Sequence, residues 1–198
     1  MRCHAGPGTG SGAPEVKGVK LKSLTGHLRT VLRHRHLVFV HCLRAGIPLQ
    51  GLTHDLSKFS PREFIPGVRY FSGEHSPNDD ERRDKGYSEA WMHHKGRNRH
   101  HWEYWTDFSA SEGRYVPVEM PRRFLAEMIC DRMAASKVYR GREYTDSSAY
   151  EYLTRGRMRD QMNPRTRETL EYFLLLLSRE GEERMFDRLR RYIKGEEI

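Results

Sequence analysis

The sequence is poor in cysteine, with only Cys3, Cys42 and Cys130 in 198 residues. No two of them form a CxxC pair, which excludes a cysteine zinc ribbon. Cys42 and Cys130 fall in apolar helical patterns and read as buried free thiols. An odd count without a disulfide framework suits a reducing compartment. No run of about 18 apolar residues is present to span a membrane, and the first residues lack the apolar core of a secretory signal. The expected location is the cytoplasm. The period-two alternation that marks a half-buried strand is missing too.

What is there points to a folded domain. Charged residues make up 31% of the chain and the mean hydropathy is -0.84, which is polar. Aromatic residues nevertheless reach 11%, and a disordered chain lacks the large apolar side chains that offset ordering entropy. The length fits one ordinary domain and leaves little room for two. The formal net charge of +8 attracts phosphate, whether on a nucleotide, a nucleic acid or a membrane. Charge alone does not choose among these, and an Arg-rich solvated face accounts for it equally well.

Residues 1–19 are rich in Gly, Pro and small side chains and read as a mobile tail. Residues 20–198 read as a single α-helical domain. Apolar residues recur at helical steps from Lys20 to Ala45, with Gly46 as C-cap and Pro48 as a stop. Leu49 to Lys58 reads as a short second helix. A third starts at Ser60-Pro61 and runs toward Phe71 unless Pro66-Gly67 interrupts it. Residues 72–87 form a long charged loop with room for a helical turn near Asp80–Lys85. Ser88 caps a helix over Glu89–His94, and His100 to Asp107 reads as helical. After a connector over 109–119, helices are expected over Arg122–Tyr139, Ser147–Arg155, Arg165–Arg179 and Glu182–Lys194. The fold class is all-α.

The eleven histidines are the anomaly, clustered over 27–54 and 93–101. His27, His34 and His41 are seven apart and share one helix face; His36 lies elsewhere. His34 and His41 read as functional, His34 first, while His27 and His36 read as core or surface residues. The adjacent pair His54-Asp55 offers an imidazole nitrogen and a carboxylate that can bridge to a second ion. On a helix the two point about 100° apart, yet an ion between them is still reached by both. Downstream, His93 and His100 are seven apart, as are His94 and His101. Trp91, Trp102, Tyr104 and Trp105 interleave with them. Lys95, Arg97 and Arg99 lie between, so a basic aromatic nucleic-acid surface is the competing interpretation. Asp131, at the edge of an apolar helical face, is either a surface residue or an aimed ligand.

The order His, His-Asp, His, His, Asp on successive helices resembles the HD superfamily of metal-dependent phosphohydrolases. The segments HRHLVFVHCLRAGI, GLTHDLSKFSPREF, NRHHWEYW and EMICDRMAASK resemble an uncharacterised HD-like family of bacteria and their phages, over roughly residues 25–140. The resemblance implies an HD-domain-like helical bundle. It implies metal ligation by His34, His54, Asp55 and Asp131, with His94 and His101, or their neighbours His93 and His100, as the additional histidines of two-metal members. Lys58 matches the lysine that contacts phosphate or a carboxylate. His54 follows His34 at a tighter spacing than the superfamily usually shows, which keeps His27 and His41 as alternative first ligands.

The expected activity is hydrolysis of a phosphate ester, a nucleotide or related small molecule, by a metal-activated water. Imidazole and carboxylate donors suit one or two ions of Mn, Fe, Co, Ni or Zn. Asp55 and Lys58 are the candidate catalytic residues. Lys58, Arg97, Asn98 and Arg99 are the candidates for binding substrate, Asn98 and Glu103 also being candidates to orient ligands. Two other expectations compete: an HD-type di-iron oxygenase, and a non-enzymatic nucleic-acid-binding module with a structural metal.

Overall fold

The computed structural model describes residues 21–196, without the side chain of Arg157. The expected tail over 1–19, with Cys3 and His4, lies outside the described residues. The fold is an all-α bundle. Its helices are α1 (Leu21–Ala45), α2 (Pro48–Thr53), α3 (Pro61–Arg69), α4 (Pro77–Lys85), α5 (Glu89–Lys95), α6 (Arg122–Arg140), α7 (Ser148–Arg155) and α8 (Pro164–Ile193). An antiparallel hairpin, β1 (Thr106–Ser109) and β2 (Arg114–Pro117), pairs Thr106 with Pro117 and Ser109 with Arg114. Among the described residues no helix is long and apolar enough to cross a membrane.

Local chemistry accounts for most boundaries. Pro at the first turn opens α2, α3, α4 and α8, where a missing N–H costs nothing. The hydroxyls of Ser76 and Ser88 accept from the N–H groups of Asn78 and Trp91 and so cap α4 and α5. The α8 helix is broken at Gly181, whose φ of 78° lies in the region glycine enters freely; the two expected C-terminal helices are its two halves. Pro66 sits inside α3 without ending it before Arg69.

The apolar core lies among α1, α6, α7 and α8. Val38, Leu125, Ile129, Met133, Phe173 and Phe186 are fully buried there. The α1 helix packs against α6 and α2, and α3 against α5 and α4. Beside this core, the middle of α1, the chain after α2, the end of α5 and the middle of α6 converge. Cys42 and Cys130 are buried free thiols in the core, as expected.

Two expectations are corrected. The stretch Leu49–Lys58 is not one helix: α2 stops at Thr53, and a 3-10 turn covers Leu56–Phe59. The stretch His100–Asp107 is not a helix either, but a 3-10 turn over Trp102–Tyr104 leading into β1. Both strands are largely exposed, so no buried face imposes an alternating pattern on them.

Candidate metal centre

The inward face of α1 carries His27, Val31, His34, Val38, His41, Cys42 and Ala45. Seven residues climb about 10 Å along a helix, so its three histidines reach three different neighbourhoods. His27 packs on the rings of Phe64 and Phe71. His41 donates from Nδ1 to the Cys130 carbonyl at 3.2 Å and accepts from Lys137 Nζ at 3.1 Å. Only His34, between them, meets the His54-Asp55 pair. His41, expected to be functional, instead ties α1 to α6.

The break between α2 and the following 3-10 turn falls on His54 and Asp55. His54 is extended (φ -51°, ψ 129°) and Asp55 adopts a left-handed conformation (φ 53°, ψ 28°). Asp tolerates that region better than most residues. On a continuous helix the two side chains would diverge. Here His54 Nε2 lies 3.3 Å from Asp55 Oδ2, and both residues are buried.

His34 and Asp131 complete the first group. His34 Nε2 is 3.0 Å from Asp131 Oδ1, 3.7 Å from Asp55 Oδ2 and 3.4 Å from His54 Nε2. His54 Nε2 is 3.6 Å from Asp131 Oδ1. An ion bound at about 2.1 Å spaces neighbouring donor atoms about 3.0–3.4 Å apart, so these distances suit one. The other oxygen of Asp55 faces a second group. Its Oδ1 lies 3.2 Å from His94 Nε2 and 3.4 Å from His100 Nε2, and His101 joins the same donor cluster.

Two buried glutamates fix the rings. Glu127 Oε1 lies 2.9 Å from His54 Nδ1 and 3.0 Å from His100 Nδ1. Glu63 Oε2 lies 2.7 Å from His94 Nδ1. A carboxylate only accepts, so each Nδ1 carries a proton and donates it. Without a second proton, each ring then turns the lone pair of Nε2 toward Asp55. Lone pair faces lone pair across these gaps, and only a cation between them, a proton or a metal ion, resolves that. Asp55 Oδ1, His100 Nε2 and His101 Nε2 are all buried without a hydrogen-bond partner.

In the absence of an ion, the electrostatics favour a proton in that place. Burial opposes charge on His54, but Asp55, Asp131 and Glu127 outweigh it and hold its pKa well above the ordinary value. His94 is raised in the same way, by Asp55 and Glu63 against burial. Burial would push Asp55 and Asp131 up, yet the surrounding cations hold both well below the carboxylate range. Burial first, and then Lys58, lowers His34. Burial first, and then His100 and His94, lowers His101 well below 6.5. Free of metal, the centre therefore sets ionised Asp55 and Asp131 against His54 and His94 rings that favour a second proton, and a divalent ion that binds there displaces those protons.

Residues 23–176 match the family of unknown function DUF5662. The chain belongs to that family. No curated protein and no solved structure matches the DUF5662 chain.

The remaining candidates of the DUF5662 chain divide. Lys58 Nζ lies 2.7 Å from Asp55 Oδ2 and faces a cavity of ≈ 470 Å³ that opens onto the centre. Arg97, Asn98 and Arg99 do not line that cavity, which corrects their expected place beside the substrate. The α5 helix stops at Lys95, and the turn after it points Arg97 and Arg99 outward. Arg99 lies over the rings of Tyr104 and Phe124. Asn98 is a support: its Nδ2 donates to Ser57 Oγ and to the His94 carbonyl, both at 2.8 Å. His93 is held by Glu63 Oε1 at 2.6 Å and is outside the donor clusters. His100, only a neighbour in the sequence reading, sits in the second group beside His94 and His101. Sequence reasoning missed Glu63 and Glu127, which carry no motif.

Proposed function

We propose that this chain is a metal-dependent phosphohydrolase that splits a phosphate ester with water at a two-ion centre. One observation carries the reading. Asp55 divides its two oxygens between two donor groups, with His34, His54 and Asp131 on one side and His94, His100 and His101 on the other. A shared carboxylate between two nests of nitrogen and oxygen donors suits a pair of Mn, Fe, Co, Ni or Zn ions. Such ions supply Lewis acidity toward phosphoryl oxygens and a water acidic enough to deprotonate near neutral pH.

The chain's own residues do the rest. His34, His54, Asp55, His94, His100, His101 and Asp131 would hold the ions. Glu127 and Glu63 hold the Nδ1 protons, so the rings cannot swing away from the centre. Lys58 places a positive charge where the cavity meets the Asp55 carboxylate and there balances the equatorial oxygens of a phosphoryl group. The resemblance to HD phosphohydrolases and the net charge of +8 point the same way.

The test is phosphate release. Protein loaded with Mn or Co should hydrolyse p-nitrophenyl phosphate or its diester, Asp55→Asn should be inactive, and Lys58→Met should lose roughly 100-fold or more. Iron-loaded protein that consumes dioxygen and releases no phosphate would overturn this in favour of an oxygenase. Steeply salt-dependent nucleic-acid binding, indifferent to Asp55→Asn and without hydrolysis, would leave only a structural metal.

A further inference from the structure

One wall of the cavity carries polar groups that the fold leaves unsatisfied. Trp102 Nε1, Glu103 Oε2 and Arg132 Nε are buried without a hydrogen-bond partner, and all three residues line the cavity. Trp102 and Glu103 belong to the 3-10 turn that follows His101. Arg132 comes next to Asp131 on α6. The orphaned set therefore adjoins the metal centre from two independent elements.

Their neighbours show that this is not the general condition of the molecule. The indole of Trp105 donates to the Arg99 carbonyl at 2.7 Å. Of the other arginines on the cavity wall, Arg140 and Arg155 both pair with Glu151, at 3.2 and 3.7 Å. Arg132 has only a contact from Nη2 to the sulfur of Met158 at 3.7 Å. Glu103 and Arg132 feel each other's charge yet form no ion pair with one another or with any described residue. A buried polar group without a partner is costly, and a native fold keeps one only for a reason.

We infer that Trp102, Glu103 and Arg132 form a recognition subsite for a planar ligand group with an amide-type edge, a carbonyl beside an N–H, as an oxo-substituted nucleobase presents. The inference relies on the phosphohydrolase reading only for where the ligand's phosphate sits. The three residues offer two N–H donors and one carboxyl oxygen, so the complementary group brings acceptor lone pairs and a donor together. A second anion would satisfy Arg132 and repel Glu103; an ammonium would do the reverse. An amide N–H can donate to a Glu103 oxygen in either protonation state of the carboxyl, while its carbonyl, with two lone pairs, accepts from both Arg132 and Trp102; an amino-substituted edge has a single ring-nitrogen lone pair beside its N–H and satisfies only one of the two donors. Flat aromatic side chains, Trp91, Tyr139 and Tyr152, line the same cavity and suit a planar ring. Its volume of ≈ 470 Å³ is within the range that takes up a small ligand.

Calorimetric titration of the metal-loaded protein tests this with inosine 5′-monophosphate, adenosine 5′-monophosphate and ribose 5-phosphate. The base of the first has the amide edge, that of the second lacks it, and the third has no base. Inosine 5′-monophosphate should bind at least about tenfold tighter than either of the others. Arg132→Met and Glu103→Leu, which removes the acceptor, should each abolish that preference and leave ribose 5-phosphate binding unchanged. Trp102→Phe, which keeps the ring and removes the N–H, should weaken it. Circular dichroism identifies any variant that fails to fold, and the variants lie on two elements, so one misfolded protein does not decide the matter. Equal binding of the three ligands, or an undiminished preference in folded Arg132→Met and Glu103→Leu, overturns the inference. Hydrolysis of p-nitrophenyl phosphate with no such preference would sink the subsite alone. A preference lost in the variants, with no ester hydrolysed under any metal, would sink the hydrolase reading alone.

Discussion

Glu127 Oε1 receives the Nδ1 protons of both His54 and His100, one from each donor group. A single carboxylate thus orients two rings from α6 while touching neither cavity nor substrate. Glu127→Gln preserves the size of the side chain but replaces half of its acceptor capacity with N–H donors. The expected result is a loss of roughly 10–100-fold in metal affinity, read by chelator competition, with an unchanged helical spectrum. Nothing in the sequence marked this residue. The hydrogen bond between Glu127 and His54 spans 73 positions and that between Glu63 and His94 spans 31; a glutamate that orients a ring has no fixed spacing to betray it. His34, His54, Asp55 and Asp131 were legible because their order along the chain repeats a known pattern. Arg97 and Arg99 were legible as charge, but the direction of a side chain after a helix end is set by the turn, which composition does not encode.

At the scale of elements, the helices were readable from caps and three- and four-residue periodicity, while the breaks that build the site were not. The α2 helix ends at Thr53 because the chain turns sharply at Asp55, and that turn is what aims two consecutive side chains at one point. The α1 helix shows the complementary lesson: a shared face is not a shared site, because its histidines are spread over more than 20 Å of rise. His41 has a structural consequence that can be measured. Burial, and then Lys137, lowers its pKa to about 4, against an ordinary value near 6.5. Between those values the unfolded chain binds a proton that the folded chain refuses, so stability falls as pH drops from about 6.5 toward 4. The contribution is about 1–3 kcal/mol. Urea midpoints at pH 7 and pH 4.5 should converge more in His41→Gln than in wild type; an identical pH dependence in the two proteins would contradict the assignment.

At the scale of the whole molecule, a group of buried polar side chains joins the middle of α1, the middle of α6 and the ends of α2 and α5. That arrangement couples the centre to global stability, since an ion that binds only the folded chain stabilises it by mass action. At a free concentration near 100 times the dissociation constant the gain is about 2.7 kcal/mol, or roughly 5–10 °C in Tm for a chain of this size. Thermal unfolding with and without Mn or Zn should show that rise, and Glu127→Gln should show less of it at the same metal concentration. The all-α class was legible because helical periodicity dominates the chain; the exposed β1–β2 hairpin escaped because neither strand has an apolar face to bury.

The central claim is that Asp55 joins two ions, and metal content tests it most directly. Wild-type protein and Asp55→Asn, which keeps the shape of the side chain and tolerates its left-handed backbone, should be exposed to Mn or Zn, desalted and measured by elemental analysis. Wild type should retain close to two ions per chain, and folded Asp55→Asn less than one. A wild type that retains no transition metal, or an Asp55→Asn protein that retains as much as wild type, would contradict the account.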